Sequence, residues 1–192
     1  MAFIASMKKS LGIWLGDPKI LCLQREFEDR PFKLLDIGAG NHSATFVKNL
    51  FPRCEYYGLD ISRGYNNNEN DFALMKDFYE MDLTLLQFGK IPDQFFDSIL
   101  ITHVIEHLHN GDNVLAGLVP KLKAGGVIYV EYPGVRSTKL PSMRSSLNFY
   151  DDPSHVRLYS LAEIVAVLMN NGVNITSSGT RRNWLFILFM PL

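Results

Sequence analysis

Two carboxylates and two glycines carry the first sign of chemistry. The stretch Asp36-Ile37-Gly38-Ala39-Gly40-Asn41-His42-Ser43 closes an apolar run and opens a helix pattern. A glycine-rich turn between strand and helix lets a ligand approach the backbone closely and presents free N–H groups to it. Gly38 and Gly40 fill the first two places of a G-x-G-x-x-G turn while Ser43 stands in the third, so the dinucleotide-binding pattern is incomplete. Asp60 ends Tyr57-Gly58-Leu59-Asp60, 20 residues beyond Gly40. A carboxylate at about that distance accepts hydrogen bonds from ribose hydroxyls. Asp36 precedes the glycines, where a helix N-terminus already supplies positive potential, so its charge suits a cationic amino group on the ligand. Together the two carboxylates fit a ligand with a methionine-like tail better than one with a pyrophosphate.

A second cluster is built on imidazole. His103-Val104-Ile105-Glu106-His107 spells H-x-x-E-H, a string that inside a helix forms the zinc site of inverzincin proteases. Here it follows the apolar run Ser98–Ile101 directly, which places it at the end of a strand and leaves a zinc protease as a remote alternative. Downstream, Asn148 to Tyr159 gathers His155, Arg157, Asp151, Asp152 and several aromatics, a density that suits a binding or catalytic loop. His107 and His155 are the candidate catalytic bases, because an unperturbed imidazole titrates near neutrality. In the competing reading Glu106 and His107 only orient the pocket wall. No metal assignment follows from the sequence.

The elements that must position these groups alternate. Apolar, β-favouring runs recur at Lys33–Ile37, Glu55–Leu59, Phe72–Phe78, Phe95–Ile101 and Gly126–Tyr132. Helical patterns cover Ser43–Phe51, Asp112–Lys123 and Ser160–Asn171, the last opening on a Ser160/Glu163 capping box. The continuously apolar LLDI, SILI and VIYV predict parallel strands covered on both faces. Residues 1–31 read as a leading helical segment, with an amphipathic helix in Met1–Gly16. Residues 133–159, holding Pro133, Pro141 and Pro153, form a connection long enough to be a substrate or lid loop. In an open parallel sheet the loop after the fourth strand and the loop before the last helix both leave carboxyl ends. His103, Glu106, His107 and His155 should therefore converge beside the ligand crevice.

At 192 residues the chain suits one domain, 1–192. Its net charge is −1, and the basic pairs are scattered, so no stripe grips a phosphate backbone and nucleic acid is not an expected partner. Cys22 and Cys54 form no disulfide pattern, which suits a reducing, cytoplasmic setting. Lys8 and Lys9 lie inside the N-terminal apolar stretch, unlike a secretory signal. Trp184–Met190 is too short for a membrane span and reads as a buried strand or core helix. A chain closing on such a run reads as C-terminally truncated. Oligomeric state is not legible.

The motifs together resemble those of the class I S-adenosylmethionine-dependent methyltransferases. LLDIGAGNHS is similar to the first motif, YGLDIS to the second, EMDLT to the third, FDSILITHVIEHL to the fourth and LKAGGVIYVEYP to the strand-five signature. They run in the family's order across Leu34–Pro133, and SLAEIVAVLMNNGVNI continues the likeness. The resemblance implies an α/β, Rossmann-like, doubly wound, mostly parallel seven-stranded sheet with S-adenosyl-L-methionine as cofactor. It further implies that Gly38 and Gly40 lie against the methionine part, that Asp60 with Ile61 holds the ribose, that Asp82 with Leu83 flanks the adenine, and that Thr102 and His103 close the pocket. Asp82 can equally cap the turn before Thr84-Leu85-Leu86. HVIEHL with DDPSHVRLYS resembles bacterial small-molecule and cell-envelope-associated methyltransferases, implying a small hydroxyl- or amine-bearing acceptor such as a glycosyl compound. More distantly it resembles small-RNA 3′-terminal 2′-O-methyltransferases, whose metal is held by Glu-x-x-Glu-His and a later His; His103 replaces the first of those Glu residues. A nicotinamide-dependent oxidoreductase and a catalytically silent binding module are the other classes to separate.

Overall fold

Alternation along β1 (Phe32–Ile37) sets the architecture. Leu34 points to one face of the sheet and Leu35 and Ile37 to the other, and all three are buried, so both faces must be covered. A computed structural model of the chain describes residues 17–142 and 148–181. The described residues form a five-stranded sheet of order β3-β2-β1-β4-β5, parallel at every pairing. The other strands are β2 (Cys54–Asp60), β3 (Met75–Glu80), β4 (Phe96–Thr102) and β5 (Leu122–Glu131).

Helices α1 (Pro18–Phe27) and α2 (Ser43–Leu50) cover one face, where Ile20, Leu23, Ala44, Val47 and Leu50 meet Leu34, Tyr56 and Leu100. On the opposite face α4 (Gly111–Leu118) and α5 (Leu161–Asn170) bring Val114, Leu115, Leu118, Ile164 and Leu168 against Leu35, Ile37, Ile99 and Ile101. Strand order reverses between β1 and β4, so the loops leaving their carboxyl ends diverge and open a crevice. Gly38, Asp60 and His103 leave the sheet at that edge.

Three expectations need correction. Phe72–Leu74 belongs to a short helix, α3 (Glu69–Leu74), and the strand begins only at Met75. A capping box decides this: the Asn68 side chain accepts from the Asp71 amide while Asp71 Oδ2 accepts from the Asn68 amide. The helix expected over Asp112–Lys123 stops at Leu118, followed by a 3-10 turn at Val119–Lys121. Pro120 has no amide hydrogen for a continuing helix. Gly125 and Gly126, which follow Lys123 and suggest a helix stop in the sequence, therefore do not end a helix. They lie inside β5, where the pairing with β4 shifts register between Phe96/Leu122 and Ser98/Val127. Met1–Gly16 and the Trp184–Met190 run lie outside the described residues.

Candidate active site

The cleft at the carboxyl edge is lined by Gly38, Gly40, Asp60, Ile61, Asp82, Leu83, Thr102 and His103, together with Glu106, His107 and His155. Of the residues expected around a cofactor, Asp36 alone is absent from this wall. Its carboxylate is 3% exposed, and Oδ2 accepts hydrogen bonds from Ser43 Oγ and Tyr56 Oη, each at 2.5 Å. Burial raises the Asp36 pKa, and both hydrogen bonds counter that rise. The group expected to meet a cationic ligand amine instead joins α2 to the sheet.

Backbone geometry explains the glycines. Gly38 has φ of +78°, and a Cβ there would collide with the Val104 side chain; at Gly40 it would collide with the Tyr65 ring and carbonyl. The amides expected to be free are partly occupied. Gly38 and Ala39 N–H donate to the Leu59 carbonyl, Asn41 N–H to the Tyr65 carbonyl and His42 N–H to Asn67 Oδ1. Tyr65, Asn66 and Asn67 thus pack over the turn, a cover signalled in the sequence only by the polar run YNNNEN. With these donors spent and Ser43 turned to Asp36, the turn does not present the amide cradle that a pyrophosphate needs.

Asp60 ends β2 half-exposed, with Oδ1 accepting from the Ile61 amide at 2.7 Å. Desolvation raises its pKa and backbone hydrogen bonds oppose this; no cation contributes. A carboxylate so placed is suited to neutral hydroxyl donors such as a ribose diol. Asp82 caps the 3-10 turn Leu83–Leu85 through bonds from the Thr84 amide and hydroxyl to Oδ1, which hold its pKa down. The capping role is therefore present, on a residue that also faces the cleft. Ile61 is 67% exposed beside Asp60, and Leu83 is buried at the cleft floor.

His103 sits at the end of β4 with φ of +55°, its amide donating to the Glu131 carbonyl. That left-handed conformation is costly for a side-chain-bearing residue and turns the chain out of the sheet. Ile105–His107 is a 3-10 turn and not part of a longer helix, so the helical geometry of an H-x-x-E-H protease is absent. The Glu106 carbonyl accepts from both the Val156 and Arg157 amides, binding the loop after β4 to the one before α5. As a result the His107 and His155 rings lie 4.8 Å apart between centroids. Glu106 Oε1 stands 3.4 Å from His103 Nδ1 and 3.9 Å from His155 Nε2. The carboxylate raises the His103 pKa. The four residues expected to converge do so.

Two anchors of this arrangement lie in the Asn148–Tyr159 cluster but were given no structural role from sequence. Tyr159, buried, donates its hydroxyl to the Leu108 carbonyl and accepts from the Gly111 amide. Arg157 bridges Asp112, Glu163 and the His109 carbonyl while covering the Tyr159 ring. A lone buried tyrosine leaves no periodic signal in a sequence.

Residues 17–178 match the family described as methyltransferase domain. An uncharacterised protein of Methanocaldococcus jannaschii is 25% identical over 181 residues, covering 87% of this chain and 49% of that protein. The chain thus spans about half the length of that relative. Among solved structures, the YcgJ protein of Bacillus subtilis superposes with a TM-score of 0.56 at 24% identity, over 79% of this chain and 65% of that one. The plantazolicin methyltransferase BpumL, solved in complex with SAH, gives a TM-score of 0.59 at 20% identity over 86% and 75%. At these identities the structural likeness is one of fold.

Proposed function

The chain belongs to the class I S-adenosylmethionine-dependent methyltransferase family, and from that membership we propose that it transfers a methyl group to a small-molecule acceptor bearing a hydroxyl or amine. The supporting observation is that the loop after β4, which carries Thr102 and His103 of the expected cofactor wall, also carries Glu106 and His107 and is joined to the His155 loop where the Glu106 carbonyl holds the 156–157 backbone. When bound, S-adenosylmethionine supplies an electrophilic methyl on a sulfonium. Asp60 would hold the ribose, Asp82 and Leu83 the adenine, and Thr102 and His103 the transition towards the acceptor. His107 and His155 would orient the acceptor heteroatom and receive its proton as the new bond forms, an in-line displacement that depends mainly on alignment.

In the same reading residues 133–159 are the acceptor-side loop of one methyltransferase domain working in the cytoplasm. The reading includes a seven-stranded sheet, of which the described residues carry five strands. No helix among the described residues is long and apolar enough to cross a membrane.

Incubating the protein with methyl-labelled S-adenosylmethionine and a native metabolite extract should put label into a small hydroxylated or amine-bearing compound. Exclusive labelling of RNA or protein would overturn the acceptor class. Binding of S-adenosylhomocysteine without transfer to any extract would make the chain a silent binding module.

A further inference from the structure

Glu106 is the least satisfied charged side chain near the cleft. It is 1% exposed, and neither Oε1 nor Oε2 has a hydrogen-bond donor. A buried carboxylate requires compensation by donors or by positive charge. The imidazoles around it compensate it only weakly: His103 Nδ1 and His155 Nε2 lie at 3.4 and 3.9 Å from Oε1, ion-pair distances without the geometry of a full hydrogen bond, although the closer His103 ring is still held more protonated by this carboxylate.

The tautomers of the neighbouring rings are set from behind. His155 Nδ1 lies 2.6 Å from the Phe149 carbonyl, which can only accept, so that nitrogen carries the hydrogen. His107 Nδ1 faces the Ser154 carbonyl at 3.2 Å and the Ser154 hydroxyl at 3.0 Å. The hydroxyl hydrogen is directed to Asp152 Oδ1, which makes His107 Nδ1 the donor as well. In their neutral forms both rings therefore keep a lone pair on Nε2. Backbone carbonyls holding Nδ1–H in this way are the usual outer support of a metal-binding histidine.

We propose that Glu106, His107 and His155 form a site for one divalent transition-metal cation. Each offers a ligand atom, and these atoms lie within 4.8 Å of one another. With bonds of about 2.1 Å, ligands stand at most about 4.2 Å apart, so a side-chain adjustment of roughly half an ångström closes the set. Two nitrogens and one carboxylate favour Zn2+, Fe2+, Mn2+ or Co2+ over Mg2+ or Ca2+. All three residues line the cleft, leaving the remaining coordination positions open towards it. On the methyl-transfer reading above, a cation there would acidify an acceptor hydroxyl, whose proton would pass to solvent in the open cleft, and His107 and His155 would then serve as ligands in place of the proton-accepting role given them there. Cation binding itself does not depend on that reading.

The test uses the full chain, without a polyhistidine tag, stripped with EDTA and titrated with Zn2+ and with Co2+ by calorimetry and visible absorption. One equivalent should bind, and Glu106→Gln and His155→Ala should each weaken it at least roughly tenfold, while His42→Ala, whose ring pairs with Asp71 and takes no part in this set, leaves it unchanged. In 15N spectra of the wild type, the Nε2 signals of His107 and His155 should move on adding Zn2+, a readout that needs no variant. Absence of saturable binding, or of those shifts, or a Glu106→Gln protein that binds like wild type, would overturn the site. Binding of S-adenosylhomocysteine, measured in the same samples, separates the two readings: retained cofactor binding without metal binding rejects this site and leaves methyl transfer standing.

Discussion

Residues at the crevice divide by what already holds them. Asp36 resembled a ligand contact in the sequence because its neighbours are glycines, yet Ser43 and Tyr56 lie close enough to claim its carboxylate. Asp60 has no such side-chain partner, so its interactions with a ligand should be measurable. Replacing it with alanine should weaken S-adenosylhomocysteine binding by about 1–3 kcal/mol, the range for a polar pair broken on one side. Calorimetry with unchanged affinity and an unchanged melting temperature would remove Asp60 from the ribose role. Asp36→Asn, by contrast, acts on an interior contact and should lower thermal stability more than affinity.

Among the elements, α3 owes its place to a single carboxylate. Asp71 is fully buried and accepts from the Thr45 hydroxyl, the Asn68 amide and His42 Nδ1, tying α3 to the start of α2. Burial alone would raise its pKa, but these bonds outweigh it and hold the value below that of a free aspartate. For a carboxyl group with a lowered folded-state pKa, the stabilisation is complete above the unfolded value near 4 and disappears as pH falls through the folded one. Asp71→Asn should therefore melt below wild type at pH 7, with the gap narrowing as the pH is brought below about 4. A gap independent of pH would show that the carboxylate's charge is not what holds α3. At the other end of the chain, Ser160 and Glu163 cap α5 as their spacing predicts, and Ser160→Ala should cost about 0.5–2 kcal/mol in urea denaturation.

Across the whole molecule, the site exists because two distant loops are fastened together. Tyr159 ties the chain entering α5 to the turn after β4 and to the first residue of α4, and the Glu106 carbonyl takes two amides from the 156–157 backbone. Tyr159→Phe keeps the ring and leaves the buried Gly111 amide without its acceptor. It should destabilise the protein by about 1–3 kcal/mol and loosen the His155 loop, seen as faster amide exchange at Val156 and Arg157. Exchange unchanged at those positions would show that the backbone pairing holds the loops without the tyrosine.

The sequence by itself determined what is local or periodic. Continuous apolar runs marked parallel strands, the Gly38-x-Gly40 turn and Asp60 marked the crevice edge, and a capping box marked α5, because each depends on residues close together in the chain. It also carried the convergence of His103, Glu106, His107 and His155, since sheet topology obliges both loops to leave at carboxyl ends. Tertiary structure alone decided the rest. Whether Asp36 faces ligand or interior depended on Tyr56, 20 residues away. Whether the glycine turn's amides stay free depended on Tyr65 and Asn67 folding back over it. Whether Glu106 has a hydrogen-bond donor depended on rings from two loops, and those contacts join positions up to about 50 residues apart that no sequence spacing encodes.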